Sequence, residues 1–167
     1  MASLEVVVVK SCPVQGEGIQ HLAALGGLRC LSLTELPVAD QHVDWIRDLE
    51  LLENLDLSDT RIGDATARGI CEMRSLRFLL LGHTSITDSG VRALTNLPSL
   101  ESLDISGCRV GDSCLLDLAK MRTLKDVGLV DTDVSRSGYE RFCHLRPDLA
   151  NRVYWREAET RTVVRTD

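Results

Sequence analysis

The chain has 167 residues, with 19 Lys and Arg against 25 Asp and Glu for a net charge of -6. A general nucleic-acid binder needs surplus cations to displace counterions from phosphate, so this balance excludes one. Hydrophobic residues reach 44% but aromatics only 4%, so a core can form and must be aliphatic, and no apolar run approaches the roughly 20 residues of a bilayer span.

The first predicted element is a short strand within Leu4–Lys10, and its pattern returns along the chain. Leu4, Leu28, Leu52, Leu76, Leu100 and Leu124 stand 24 residues apart. Counting each copy from that Leu as offset 0, offsets 0, 3, 5, 10, 15, 18 and 21 are apolar in all six copies. Offsets 0 to 5 read L-x-x-L-x-L, and their alternation is that of a short, half-buried strand. Offsets 15, 18 and 21 recur every three residues, which predicts one face of a short helix or 3₁₀ turn. Asp40, Asp64, Asp88 and Asp112 hold offset 12 just before that stretch. A short carboxylate there is expected to accept from the free N–H groups of the first helical turn. Gly18, Gly90 and Gly138 at offset 14 permit a turn or close packing.

One such unit has nowhere to bury its apolar face, so the copies are expected to stack. Neighbouring strands then pair at about 4.8 Å, six of them line a concave wall roughly 25 to 30 Å long, and helices form the convex wall. The repeats occupy residues 4–147. Offset 8 is Cys12, Leu36, Thr60, Thr84, Cys108 and Thr132, where an inward hydroxyl can satisfy the adjacent turn. Leu36 lacks a hydroxyl and Pro37 lacks an N–H, so an irregular bend is expected in the second repeat.

After Leu145 the phase breaks. Arg146 reads as a one-residue insertion, residues 148–155 as a C-terminal capping strand, and residues 156–167 as a charged, frayed tail. At the other end, Leu4–Lys10 would be an edge strand carrying Val6 and Val8. Three readings of that edge stay open: a cut from a longer array, pairing with another copy or another protein, or a tolerated edge.

The stretch Leu76–Leu100, LRFLLLGHTSITDSGVRALTNLPSL, resembles the consensus L-x-x-L-x-L-x-x-T-x-I-T-D-x-G-[LV]-x-x-L of leucine-rich repeats. Within that family it looks most like the ribonuclease-inhibitor-like, cysteine-containing short-period type. The resemblance covers residues 4 to about 147. It implies an α/β solenoid, a right-handed curved array with parallel strands on the concave face and short helices on the convex face. It also implies a non-catalytic protein-binding surface. Such repeats occur in substrate adaptors of ubiquitin ligases, which gives an alternative role; no F-box-like helical segment precedes Leu4, so that role would require a longer chain or a separate subunit.

The six cysteines do not suit a disulfide framework. Cys12 and Cys108 share offset 8 four repeats apart, roughly 20 Å, and Cys71 and Cys143 share offset 19 three repeats apart, roughly 15 Å. A disulfide needs Cα atoms within about 7 Å. Cys30 and Cys114 have no partner at matching height, so reduced thiols in a cytoplasmic setting are expected. There is no C-x-x-C, G-x-S-x-G, P-loop, H-E-x-x-H or G-x-G-x-x-G, and neither a metal, a cofactor nor a catalytic residue is expected. The one local grouping is Glu35, Asp59 and His83, stacked at offset 7. As a metal-dependent hydrolase it is the alternative of another class; as a solvated polar column it is ordinary.

Offsets 2, 4 and 6 alternate with the buried leucines and so face the concave side. There Phe78 and Leu80 are exposed apolar residues in mid-array, with Gly82 expected to leave a dent beside them. Asp56, Asp104 and Asp126 surround them, with Asp59 and Asp131 at offset 7. An apolar centre with a polar rim is how interfaces concentrate binding energy, although the aspartates also serve simply to keep the face soluble. The expected binding residues are Phe78, Leu80, Asp56, Asp104, His83, Asn54 and Asp126. The expected partner is a neutral or basic protein segment, not nucleic acid or membrane.

Overall fold

Seven short parallel strands lie side by side in chain order in a computed structural model, which describes residues 4–14 and 16–156. They are β1 (Val6–Val8), β2 (Cys30–Ser32), β3 (Asn54–Asp56), β4 (Phe78–Leu80), β5 (Ser102–Asp104), β6 (Asp126–Gly128) and β7 (Val153–Tyr154). From β1 to β6 every step of the ladder pairs residues 24 apart, as in Asn54 with Phe78 and Phe78 with Ser102. The sequence period is therefore the register itself. Each of β1 to β6 is followed by a helical segment, α1 (Gly16–Ile19), α2 (Asp40–Val43), α3 (Asp64–Ile70), α4 (Asp88–Leu94), α5 (Asp112–Leu118) and α6 (Arg136–Leu145). The first two are single turns continued as 3₁₀ helix over Gln20–Ala24 and Asp44–Asp48. The architecture is an α/β solenoid with all strands on one wall. Among the described residues no helix is long and apolar enough to cross a membrane.

The core is a set of rows, one residue per repeat. Leu31, Leu55, Leu79, Leu103 and Val127 form one buried row, and Leu33, Leu57, Leu81, Ile105 and Leu129 the next. Val38, Ile62, Ile86, Val110 and Val134 form a third, behind the turn. Each row covers the exposed flank of the previous repeat, so no unit is buried without its neighbours. Leu145 departs from the pattern: it is 51% exposed, and Leu149 fills the core in its place. Helix α6 has 10 residues where α3 to α5 have 7, which carries the chain past the point where earlier repeats turned inward.

Polar groups run in rows as well. The offset 12 aspartates do not cap their own helices but reach sideways into the next repeat. Asp40, Asp64, Asp88 and Asp112 each accept, at 2.8 Å, the backbone N–H of Gly63, Thr87, Gly111 and Ser135 respectively. Their second bonds go to hydroxyls: Thr87 Oγ1 and Ser135 Oγ donate to Asp64 and Asp112 at 2.7 Å, and Ser113 donates to Asp88. The glycine at offset 14 makes room for this reach. A Cβ at Gly90 would lie 2.4 Å from Asp64 Oδ1, and one at Gly138 2.2 Å from Asp112 Oδ1.

At offset 8, Thr60, Thr84 and Thr132 donate to the carbonyls of Leu57, Leu81 and Leu129 at 2.6 to 2.8 Å. The bend of the second repeat is regular rather than distorted, with Glu35 at φ 59° against 57° for Asp59 and 55° for His83. What Pro37 removes is a lateral bond. At its position in later repeats, Arg61, Ser85, Arg109 and Asp133 donate N–H to Val38, Ile62, Ile86 and Val110. Leu36 simply fills the core, at 2% exposure.

Alternating charges pair along offset 1, Arg29 with Glu5 and Glu53, and Glu101 with both Arg77 and Lys125. At the C-terminal end Arg146 is 3% exposed and donates to the carbonyls of Met121 and Leu124 at 2.8 and 2.9 Å. Asp148 holds the same guanidinium at 2.7 Å. Trp155 stacks on Tyr139 with ring centroids 4.6 Å apart and donates to the Val134 carbonyl. Of the segment expected to fray, residues 157–167 lie outside the described residues, while Arg156 pairs with Asp131 at 3.2 Å.

Several of these carboxyls are held below their ordinary values. For Glu101 the main cause is the hydrogen bond from Lys125, for Asp117 that from Lys120, and for Asp148 that from Arg146. A carboxyl lowered in the folded state contributes stability above its unfolded value of about 4, and that contribution is lost as pH falls through the lower folded value. We therefore expect the thermal midpoint to be level from about pH 5 to 7, to fall below about pH 4, and to fall less steeply in high salt. A midpoint unchanged between pH 7 and 3 would contradict this.

Candidate functional site

Strands β2 to β6 are three residues long, with the middle side chain buried and the first and third on the outward side. On β4 those outward residues are Phe78 and Leu80, 39% and 37% exposed, on either side of Leu79 at 0%. The flanking strands present polar residues at the same heights. Asn54 and Ser102 flank Phe78, and Asp56 and Asp104 flank Leu80. Two apolar side chains thus stand together between polar neighbours on β3 and β5, with the Arg77 guanidinium over the Phe78 ring, 5.4 Å from its centre.

A groove of about 260 Å³ opens on the N-terminal side of this pair, walled by Val8, Cys30, Asn54, Asp56, Phe78 and Leu80. The expected dent at Gly82 is absent; Gly82 is buried by its neighbours, and the depression lies over β1 to β4 instead. Asn54 donates to Cys30 Sγ at 2.9 Å, which ties two of these wall residues together. Asp56 is fixed by three donors, the Ser58 N–H at 3.0 Å, the Thr34 hydroxyl at 3.0 Å and the Ser32 hydroxyl at 3.5 Å. Asp104 takes the Ser106 N–H at 3.0 Å.

The structure thus brings Phe78, Leu80, Asn54 and Asp56 together at the groove, with Asp104 on the opposite flank. Asp126 lies one strand further on and pairs with Arg152 at 3.3 Å. His83 stands apart, in the turn. Val8 and Cys30 hold the outward offsets 4 and 2, and what the pattern does not show is that these residues of two other repeats wall a groove with the apolar pair.

Offset 7 has a conformational task. Ser11, Glu35, Asp59, His83, Gly107 and Asp131 all have left-handed backbone, with φ between 49° and 70°. This residue turns the chain out of the strand, and its N–H is tied to the next repeat: Glu35 to Ser58, Asp59 to Gly82, His83 to Ser106 and Gly107 to Val130. Only Gly adopts this conformation freely, with Asn, Asp and His the best tolerated of the others. Gly107 also leaves space for the His83 ring, since a Cβ there would lie 2.2 Å from His83 Nδ1. Glu35 is occupied by Ser11 and Lys10. Among the described residues no three His, Cys, Asp or Glu side chains converge on a point that could hold a metal ion.

A larger open hollow of about 700 Å³ lies along the strand-start edge, between Arg77, Glu101, Arg122, Lys125, Asp148 and Arg152. Its walls are charged, and Arg77, Glu101 and Lys125 are paired among themselves. All six cysteines are free. Burial, with Asp88, Asp117 and Asp112 nearby, pushes the Cys114 thiol up to about 12, so it stays protonated and unreactive.

A family model described as a leucine-rich repeat region matches residues 2–146. No curated protein matches the sequence. Among solved structures the chain is similar to an internalin (inlF) from Listeria monocytogenes, with a TM-score of 0.69 at 17% identity over 92% of this chain and 40% of the other. It is similar to the Arabidopsis receptor kinase HAESA, solved in complex with the peptide hormone IDA and the co-receptor SERK1, with a TM-score of 0.59 at 20% identity. That match covers 92% of this chain and 26% of the receptor. Internalin C2 (inlC2) from L. monocytogenes gives 0.57 at 23% identity, over 83% of this chain and 56% of the other. The chain thus spans between a quarter and somewhat over half of each neighbour, and at these identities the likeness shows the fold.

Proposed function

This chain belongs to the leucine-rich repeat family, and from that premise we propose that it is a non-catalytic protein-interaction module whose strand face holds the partner. The observation that carries this reading is the Phe78–Leu80 pair: two large apolar side chains exposed on one strand paired on both sides, beside an open groove, among polar neighbours. Rigid apolar anchors surrounded by a polar rim lose little entropy on binding and exclude water when covered. The HAESA structure, solved with a bound peptide hormone and co-receptor, supports a protein or peptide as the class of partner. The 24-residue period, with Thr or Cys at five of six offset 8 positions, supports the cysteine-containing short-period type. Six free thiols support a reducing, cytoplasmic setting.

The test is affinity capture from the native source with the wild-type protein and a Phe78→Ala/Leu80→Ala double variant. Truncating two central anchors of about 1 to 2 kcal/mol each lowers affinity by 10-fold or more. The captured partner is expected to be lost from the variant while its thermal midpoint stays near wild type. Equal recovery on both proteins would move the site elsewhere.

A further inference from the structure

We infer that the segment this face receives carries two cationic side chains about 10 Å apart with an apolar side chain between them, seated on Asp56, Leu80 and Asp104. The inference rests on the strand face being the binding face and adds the chemistry of what it takes.

Those three residues form one row across adjacent strands, since Asp56 pairs in register with Leu80 and Leu80 with Asp104. Two strand spacings separate the carboxylates by about 10 Å, with the apolar side chain midway. Three other carboxylates along this side of the sheet are compensated, while Asp59 stands apart in the turn after its strand. Glu35 is paired with Lys10, Asp126 with Arg152 and Asp131 with Arg156. Arg77, the cation nearest the apolar pair, is held by Glu101. Among the described residues Asp56 and Asp104 have no cationic partner, and they are the two that bracket Leu80. The bonds they accept from Ser58, Thr34 and Ser106 fix their orientation without neutralising them. A carboxylate has about four lone-pair sites, so each retains acceptor capacity.

Two like charges held this way on a face with a central apolar residue repel acidic segments and reward basic ones. An extended segment meets this row. Its residues i, i+2 and i+4 share one face at about 3.3 Å rise per residue, so i and i+4 lie about 13 Å apart at the backbone with i+2 midway. Lys or Arg at i and i+4 around an apolar residue at i+2 would place both cations and the anchor together, the flexible stems of the basic side chains closing the few Å of difference.

The test uses a random peptide library displayed on phage, selected against four proteins: wild type, Asp56→Asn/Asp104→Asn, Phe78→Ala/Leu80→Ala, and Asp133→Asn. The last removes one exposed negative charge away from the strand face. Wild type and Asp133→Asn are expected to enrich Lys or Arg pairs four residues apart with a Leu, Met or Phe midway between them. The aspartate variant is expected to enrich apolar peptides without the basic pair. Synthetic peptides from the wild-type selection should bind that variant at least 10-fold more weakly, with less salt dependence. Peptides that lose affinity for the Phe78/Leu80 variant but show no basic pair would overturn the charge inference and leave the binding face standing. Peptides that bind the Phe78/Leu80 variant as well as wild type would overturn both. A library that enriches nothing above a blank surface would overturn the inference.

Discussion

Replacing Leu79 with Ala is expected to lower stability by about 3 to 5 kcal/mol, while replacing its neighbour Leu80 with Ala costs less than about 1 kcal/mol. Leu79 is wholly buried in mid-array, in register with Leu55 and Leu103. Truncating it removes transfer free energy and leaves a cavity that backbones on both sides cannot close, because each is fixed by its own ladder. In a stacked array the damage falls on two interfaces at once. At this chain length it corresponds to a drop of about 6 to 20 °C in the thermal midpoint. Leu80 points the other way and is already 37% exposed. Calorimetry on the two variants checks the strand's alternation directly; equal losses would place both side chains in the core and remove the proposed site.

The second large effect is expected at Arg146. Its guanidinium is buried and supplies hydrogen bonds to the Met121 and Leu124 carbonyls, while Asp148 holds it in place. In Arg146→Met the hydrocarbon volume is kept and the donors are lost. Two carbonyls at the end of the array would then be left short of partners, at a cost of about 2 to 4 kcal/mol. Lys offers a point charge instead of a planar fork, so Arg146→Lys is expected to recover only part of the loss. Denaturant melts of the three proteins measure this. A Met variant as stable as wild type would show that the carbonyls find other donors.

The fold was legible because the residues that repeat are the ones that stack. Leu31, Leu55, Leu79 and Leu103 occupy the same offset in sequence and the same row in the core. The placement of Phe78 and Leu80 on the outward face follows from the same alternation. What stayed hidden depends on contact between repeats rather than within one. The offset 12 aspartates look like caps of their own helices, but the spacing between repeats brings the next turn's N–H groups closer to them. Glu35, Asp59 and His83 read as a polar column because side chains give little sign of a left-handed backbone; Gly107 and the two aspartates of that row were the only hints. Arg146 looked like an insertion, and its guanidinium fills the end of the core that the insertion opens. Asn54 was expected on this face and Val8 and Cys30 share its outward offsets, but the groove they wall is assembled from three repeats, and its depth is not written in any one copy.

The most direct measurement is hydroxyl-radical footprinting of the protein with and without its captured partner, read by mass spectrometry at individual side chains. Phe78 and Leu80 on the strand face can be compared with Leu116 and Leu145, which are 53% and 51% exposed on the helices. The partner is expected to suppress oxidation of Phe78 and Leu80 and to leave Leu116 and Leu145 unchanged. Protection of Leu116 and Leu145 with Phe78 and Leu80 still freely oxidised would contradict it.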